Sequence, residues 1–327
     1  MLAAKFNVKA TEGNLNNDIG VPLTILSITP ETEIAVVEMG ASHPDDIEKL
    51  VKVSEPDYGL ITNVGKAHLQ GFGSFEGVQK AKGALYDYVA AHDGEVFVNA
   101  DDSVLVSMAE SRQGMVLIPY GIENDEVEIL PATPEEPFLR LSFPGGRILK
   151  TSLVGSYNAA NVLAAICIGR HFGVDDDAAF AAISSYTPSN SRSQMVRTAS
   201  NTLVVDAYNA NPSSMRAALG NFAGIEAAHK TALLGDMREL GEDSVNEHIE
   251  ILKLAASIGL EKLCLVGDEF RKAIDSHIVD IPSGLDLRWF PDSVALATAL
   301  HDAPLSGNVV LVKGSRGIMM EKALPEL

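Results

Sequence analysis

Short apolar runs that end in polar or glycine residues, each followed by a stretch with helical spacing, recur along almost the whole chain. EIAVVEMG (33–40) reads as a strand and HPDDIEKLVKVSE (43–55) as a helix. YGLITNVG (58–65), GEVFVNA (94–100) and MVLIPYG (115–121) read as strands, and SFEGVQKAKGALYDYVAAH (74–92) as a helix. This alternation predicts an α/β chain with a mostly parallel sheet flanked by helices.

Between about residues 126 and 155 the pattern changes. PFLRLSFPGGRILKTSLVG alternates apolar and polar residues around a Pro-Gly-Gly, which predicts an antiparallel hairpin. NAANVLAAICIGRHFG (158–173) follows as a helix with an apolar stripe, closed by a glycine in the C-cap position. TPSNSRSQ (187–194) is polar and aperiodic, so a domain boundary is expected there, giving domains 1–190 and 191–327. The rhythm then restarts with TLVVDAYN, KTALLGDM, KLCLVGDE and NVVLVKGS, the pattern of a smaller Rossmann-like unit. At roughly 150 residues per domain, a 327-residue chain fits two.

Composition excludes some partners. The net charge of −19 argues against nucleic acid, because phosphate backbones need clustered Lys and Arg. No apolar run approaches the roughly 20 residues that span a bilayer, and the first residues lack the pattern of a secretory signal. Cys167 and Cys264 both sit in apolar segments and read as buried, reduced thiols. A cytoplasmic protein without a membrane partner is expected.

The polar residues gather at the carboxyl ends of the strands, where open α/β sheets bind ligands. In the second half these are Asp206, Asn209 and Asn211, then Gly235 and Asp236, then Gly267 and Asp268, then Lys313, Ser315 and Arg316. Any one of them serves a turn or cap on local grounds. Four consecutive strand ends loaded this way point to a site. In the first half Glu38 ends one strand, His68 lies just past the next among Gly65, Gly71 and Gly73, and Lys82 follows in a helix.

The strings TEGNLNNDIGVPLT, EMGASHPDDI, LITNVGKAHLQGFGSFEGVQKAKGALYDY, LVGSYNAANVLAAI, DAYNANPSSM and LGDMRELG resemble the Mur ligases, from about residue 10 to the end. The resemblance implies an ATP-type central domain followed by a Rossmann-like C-terminal domain. It also implies a reaction in which ATP phosphorylates a carboxylate and an amine displaces the phosphate to form an amide. DAYNANP and LGDMRELG resemble the member that joins D-Ala-D-Ala to UDP-MurNAc-tripeptide. Those two molecules, with ATP and Mg²⁺, are therefore the expected partners. By the same resemblance Glu38, His68 and a carbamylated Lys82 hold Mg²⁺, with Lys82, His68 and Asp206 as the catalytic set. Asn158 and Asn161 read adenine, Arg192 contacts the phosphates, and Asp206, Asn209 and Asn211 line the nucleotide pocket. Asn16, Asn17, Asp236, Met237, Lys313, Ser315 and Arg316 receive substrate, with Arg316 pairing to the dipeptide carboxylate.

The chain departs from the family in one respect. No Gly-x-x-x-x-Gly-Lys-[Ser/Thr] occurs, the only Gly-Lys being Gly65-Lys66, followed by Ala. The family's UDP-gripping N-terminal domain is also missing, so a truncated, inactive ligase is expected. The loss of a strand beside the Glu38 strand leaves an edge, and a monomer or weak self-association through that edge is expected. The alternative is a non-catalytic nucleotide- or dipeptide-binding module that needs a partner chain. A dinucleotide-dependent oxidoreductase is disfavoured, because no Gly-x-Gly-x-x-Gly follows any strand.

Overall fold

The computed structural model describes residues 1–65, 69–133, 136–188 and 194–327. Its contacts divide into two compact units. The first is Met1–Ile129 with Leu141–Leu149 and Ala159–Tyr186, and the second is Leu130–Arg140 with Lys150–Asn158 and Thr187–Leu327.

The first unit opens with β1 (Val8–Ala10), α1 (Gly20–Leu26), β2 (Ile34–Val36), α2 (Asp46–Ser54), β3 (Tyr58–Leu60), α3 (Leu69–Phe72) and α4 (Phe75–Ala91). It continues with β4 (Glu95–Asn99), α5 (Ser103–Glu110) and β5 (Val116–Tyr120). β1 and β2 form one parallel pair, with Val8 opposite Ile34. β3, β4 and β5 form a second, wholly parallel sheet, with Glu95 between Tyr58 and Val116. Among the described residues, β2 and β3 each pair on one side only. The strand expected over 33–40 is therefore short. Beyond Val36 the backbone finds partners in turns instead: Glu38 N–H donates to Thr11 Oγ1, and Gly40 N–H to the Asn16 carbonyl. Ile47 and Val51 of α2, Tyr86 and Val89 of α4, Val96 and Val98 of β4 and Leu105 of α5 make one core. The start of α4 is fixed by Ser74, whose hydroxyl accepts Gly77 N–H, and that of α5 by Asp102, which accepts from Val104 and Leu105.

β6 (Glu128–Leu130), β7 (Arg140–Phe143) and β8 (Arg147–Lys150) form a separate three-stranded sheet in that order. Pro144-Gly145-Gly146 joins β7 to β8, with φ of +84° and +79° at the glycines, and only an antiparallel pair allows so short a link. Helices α6 (Ala159–His171) and α7 (Asp176–Ser185) follow. Gly173, at φ +73°, ends the first of them as the sequence predicts. Val174 and Ala179 pack with Leu2, Phe6, Val8 and Ile34, which ties the start of the chain and the β1–β2 pair to these helices.

The second unit contains β9 (Gln194–Arg197), β10 (Thr202–Asp206), α8 (Pro212–Ala223), β11 (Lys230–Gly235), α9 (Ser244–Ser257) and β12 (Lys262–Val266). α10 (Asp268–Asp275), β13 (Asp286–Phe290), α11 (Ser293–Asp302) and β14 (Val309–Lys313) complete it. The sheet order is β13-β12-β11-β14-β10-β9, parallel except for β9, which runs antiparallel to β10. Gln194 opens β9 rather than belonging to the linker. Side chains alternate between two cores, as the strand period requires. Val204, Ala232, Leu234, Leu263, Leu265 and Leu311 pack into the core that holds Met215 and Leu219 of α8 and Leu252 of α9. Leu203, Val205, Leu233, Cys264, Val266, Val310 and Val312 face the core of Leu296 and Leu300 of α11. Burial on both faces explains the unbroken apolar runs. β14 inserts between β10 and β11, so the strand order reverses there and the carboxyl ends of these three strands form the expected crevice. No helix among the described residues is long and apolar enough to cross a membrane.

Candidate active site

The first unit carries its polar residues beyond the ends of β2 and β3, which belong to separate sheets among the described residues. Glu38 lies two residues beyond β2, is exposed, and accepts a hydrogen bond from Asn16 Nδ2 at 2.8 Å. Asn17 Oδ1 accepts from Ile19 N–H at 3.2 Å and Gly20 N–H at 2.9 Å, so it fixes the start of α1. Ala41 and Val64, from the turns after β2 and β3, pack with Phe72 of α3 and Ala81 of α4. Gly71 sits so close to the Ser42 carbonyl that a Cβ there would lie 1.9 Å from its oxygen, so only glycine fits. These contacts draw the two strand-end turns onto the same turn of α4 that carries Lys82. Lys82 Nζ donates to the Asn63 carbonyl at 2.7 Å. Its side chain is half-buried, and that burial pulls its pKa below the usual lysine value.

His68 and Arg192 lie outside the described residues. Asn158 ends a short 3-10 turn, is buried, and donates through Nδ2 to the Val154 carbonyl at 2.9 Å. Asn161, in the first turn of α6, is exposed.

In the second unit the strand ends are stitched together. Asp206 and Lys313 are register partners, and Lys313 Nζ lies 2.6 Å from Asp206 Oδ2 and donates to the Asn209 carbonyl at 3.2 Å. Lys313 is 1% exposed. Asn211 caps α8: its Oδ1 accepts Ser214 N–H, Ser214 Oγ accepts Asn211 N–H, and Pro212 opens the helix. Asn209 Oδ1 accepts from Ala210 N–H within the turn. Ser315 Oγ donates to the Ala210 carbonyl and accepts Arg238 N–H, while its own N–H donates to the Asp236 carbonyl. The Asp236 carboxylate caps α10, accepting from Phe270 N–H at 2.9 Å and Glu269 N–H at 3.0 Å. Met237 is buried in the core. Arg316 is exposed, its guanidinium 5.3 Å from the Tyr208 ring. DAYNANP is thus polar for local reasons: Asp206 makes an ion pair, Asn209 holds the turn and Asn211 caps the helix.

Sequence reasoning missed Arg238, Tyr208 and His248. Arg238 Nη2 donates to the Gly317 carbonyl at 3.3 Å, beside Arg316. Arg238 sits inside LGDMRELG, where its charge was legible, but its reach to residue 317 was not.

Residues 1–169 match the Mur ligase middle domain, and residues 191–316 match the Mur ligase, glutamate ligase domain. The chain belongs to the Mur ligase family. A related sequence is the UDP-N-acetylmuramoyl-tripeptide–D-alanyl-D-alanine ligase of Escherichia coli, 34% identical over 329 residues that cover 98% of this chain and 71% of the relative. Among solved structures, MurF from Acinetobacter baumannii aligns over 100% of this chain and 71% of its own, with a TM-score of 0.85 and 27% identity. MurF ligase from Thermotoga maritima in complex with ADP aligns over 99% of this chain and 74% of its own, with a TM-score of 0.84 and 26% identity. The α/β fold with two Mur ligase domains is therefore that of the family.

Proposed function

We propose that the chain supplies the central and C-terminal parts, divided near 190, of a cytoplasmic ATP-dependent amide ligase that adds D-Ala-D-Ala to UDP-MurNAc-tripeptide. The observation that carries this reading is at the strand ends of the first unit, where Glu38 accepts from Asn16 beyond β2 and a half-buried, pKa-lowered Lys82 donates to the Asn63 carbonyl beyond β3. The matched relatives and the ADP complex of one of them support it.

The carboxylate of the tripeptide attacks the γ-phosphorus of ATP and ADP leaves. The dipeptide amine then attacks the acyl carbon, loses its proton, and phosphate departs as the amide forms. Glu38 is a hard oxygen donor with lone pairs to spare, which suits Mg²⁺. This ion is commonly held by one or two carboxylates plus substrate phosphates. Carbamylation would give Lys82 a second such group, and His68 completes the proposed set. Mg²⁺, when bound, neutralises the phosphate charge. Asn158, Asn161, Arg192, Asp206, Asn209 and Asn211 are proposed to surround the nucleotide. Asn16, Asn17, Asp236, Met237, Lys313, Ser315 and Arg316 are proposed to frame the substrates, with Lys313 and Asp236 acting as braces for the exposed Arg316. The 327 residues contain no phosphate loop, so we propose that alone they do not turn over, since positioning supplies most of phosphoryl-transfer catalysis.

The test is a chimera in which the family's phosphate-loop segment and N-terminal domain are joined ahead of residue 1. Mass spectrometry should detect UDP-MurNAc-pentapeptide, and Lys82→Arg, which cannot carry a carbamate, should abolish it. A folded chimera without product would overturn the function, and an active Lys82→Arg variant would overturn the role of Lys82.

A further inference from the structure

His248 on α9 is completely buried, and the proposed chemistry does not use it. Its ring packs edge-on against Phe270, with centroids 4.7 Å apart. Nε2 accepts Met237 N–H at 3.0 Å, and Nδ1 lies 2.7 Å from the Ser244 carbonyl one turn earlier. A ring nitrogen that accepts carries no hydrogen, so the imidazole is neutral with its proton on Nδ1. Three carboxyl groups face it: Asp236 at the end of β11, Glu269 on α10 and Glu247 on α9 itself. The nearest, Asp236 Oδ1, is 3.7 Å from Nε2. Their charge favours an imidazolium, but burial outweighs it and lowers the pKa below the usual histidine value.

Three successive residues beyond β11 are each anchored to a different element. Asp236 holds the start of α10, Met237 N–H is held by α9 through His248, and Arg238 N–H is held by Ser315 after β14. The middle anchor is the imidazole alone. We propose that His248 is a positioning residue that, through the Met237 amide, fixes the Asp236–Arg238 turn as one wall of the D-Ala-D-Ala site. This rests on the assignment of that wall made above. Protonation would turn Nε2 into a donor facing another donor and release the anchor.

The test uses the whole 327-residue chain as wild type, His248→Gln and His248→Leu. The glutamine carbonyl can accept Met237 N–H, and leucine cannot. Nitrogen-15 NMR should find the histidine proton on Nδ1 at neutral pH. Hydrogen exchange at the Met237 amide should quicken at least about tenfold in the leucine variant and stay within about threefold of wild type in the glutamine variant. Calorimetric affinity for D-Ala-D-Ala should follow the same pattern, with a loss of about tenfold in the leucine variant. An imidazolium at neutral pH, or Met237 exchange unchanged in a folded leucine variant, would overturn the proposal. A dipeptide affinity unchanged in the leucine variant would overturn the link to substrate. A wild-type chain that does not bind the dipeptide overturns the wall assignment, and the proton position and Met237 exchange still decide whether His248 holds the turn. Should the leucine variant not fold, the wild-type proton position and the glutamine variant decide.

Discussion

Lys82 and Lys313 both reach the carboxyl edge of a parallel sheet, one in each unit. Lys313 is sealed in and pairs with Asp206 while bonding the Asn209 carbonyl. Lys82 is half-buried and bonds the Asn63 carbonyl, and burial alone lowers its pKa. The first arrangement holds a charge in place and makes the lysine a brace between two strands. The second makes the charge costly, with no carboxylate bonded to it among the described residues. The contrast extends to the carboxylates, since Asp236 is spent on capping α10 whereas Glu38 is exposed and bonded to one amide. Polar residues at a strand end therefore mean different things according to whether their bonds are already committed.

Replacing the two lysines tests this directly. Lys313→Met leaves Asp206 without its partner and should destabilise the chain by about 3–5 kcal/mol in urea titrations. Lys82→Met should stay within about 1 kcal/mol of wild type. Equal losses would break the comparison. In the chimera, Glu38→Gln should slow product formation at least about a hundredfold while leaving the melting temperature almost unchanged. A large stability loss instead would make Glu38 a structural residue like Asp236.

Glycines sharpen the same contrast. Gly267 has φ +111°, and a Cβ there would lie 2.2 Å from Asp236 Oδ2. Gly267→Ala should cost about 1–3 kcal/mol, from backbone strain and displacement of the cap together. Gly73, at φ +77°, has nothing within 4 Å of a new Cβ among the described residues. Gly73→Ala should cost about 1 kcal/mol, from the backbone alone. The smallest expected effect is in pH. The folded-state pKa of His248 lies below its unfolded value, so the unfolded chain binds the proton more readily, and this group's contribution to stability is lost as pH falls below about 6.5. The wild-type melting temperature should therefore drop relative to that of His248→Gln between about pH 7.5 and 5.5. A parallel pair of curves would mean that His248 does not titrate in that window.

Most of the second unit was legible because its strands are buried on both faces and announce themselves as apolar runs. β13, with its charged DLRWF sequence, was not, because an edge strand lacks that signal. β9 was hidden in a polar stretch for the same reason. In the first unit the strand around 33–40 was overestimated, since Val and Ala fit a strand whether or not a neighbour exists to pair with it. At the candidate site, Glu38 and Lys82 could be found from motif and strand position. The ties of Asp206, Asp236 and Ser315 could not, because they depend on register and on residues far away in sequence, whereas the Asn211 cap is local. His248 gave no local signal, as its partner amide lies across a turn.

On the proposed function, Glu38 and Lys82 work only when the phosphate loop and the N-terminal domain are supplied, whereas Lys313 and Asp236 already brace the second unit. Phosphate release with ATP, UDP-MurNAc-tripeptide and D-Ala-D-Ala all present, measured on the 327-residue chain and on the chimera side by side, tests it most directly. Background release is expected from the chain and dipeptide-dependent release from the chimera. Comparable release from both, or none from a folded chimera, would contradict it.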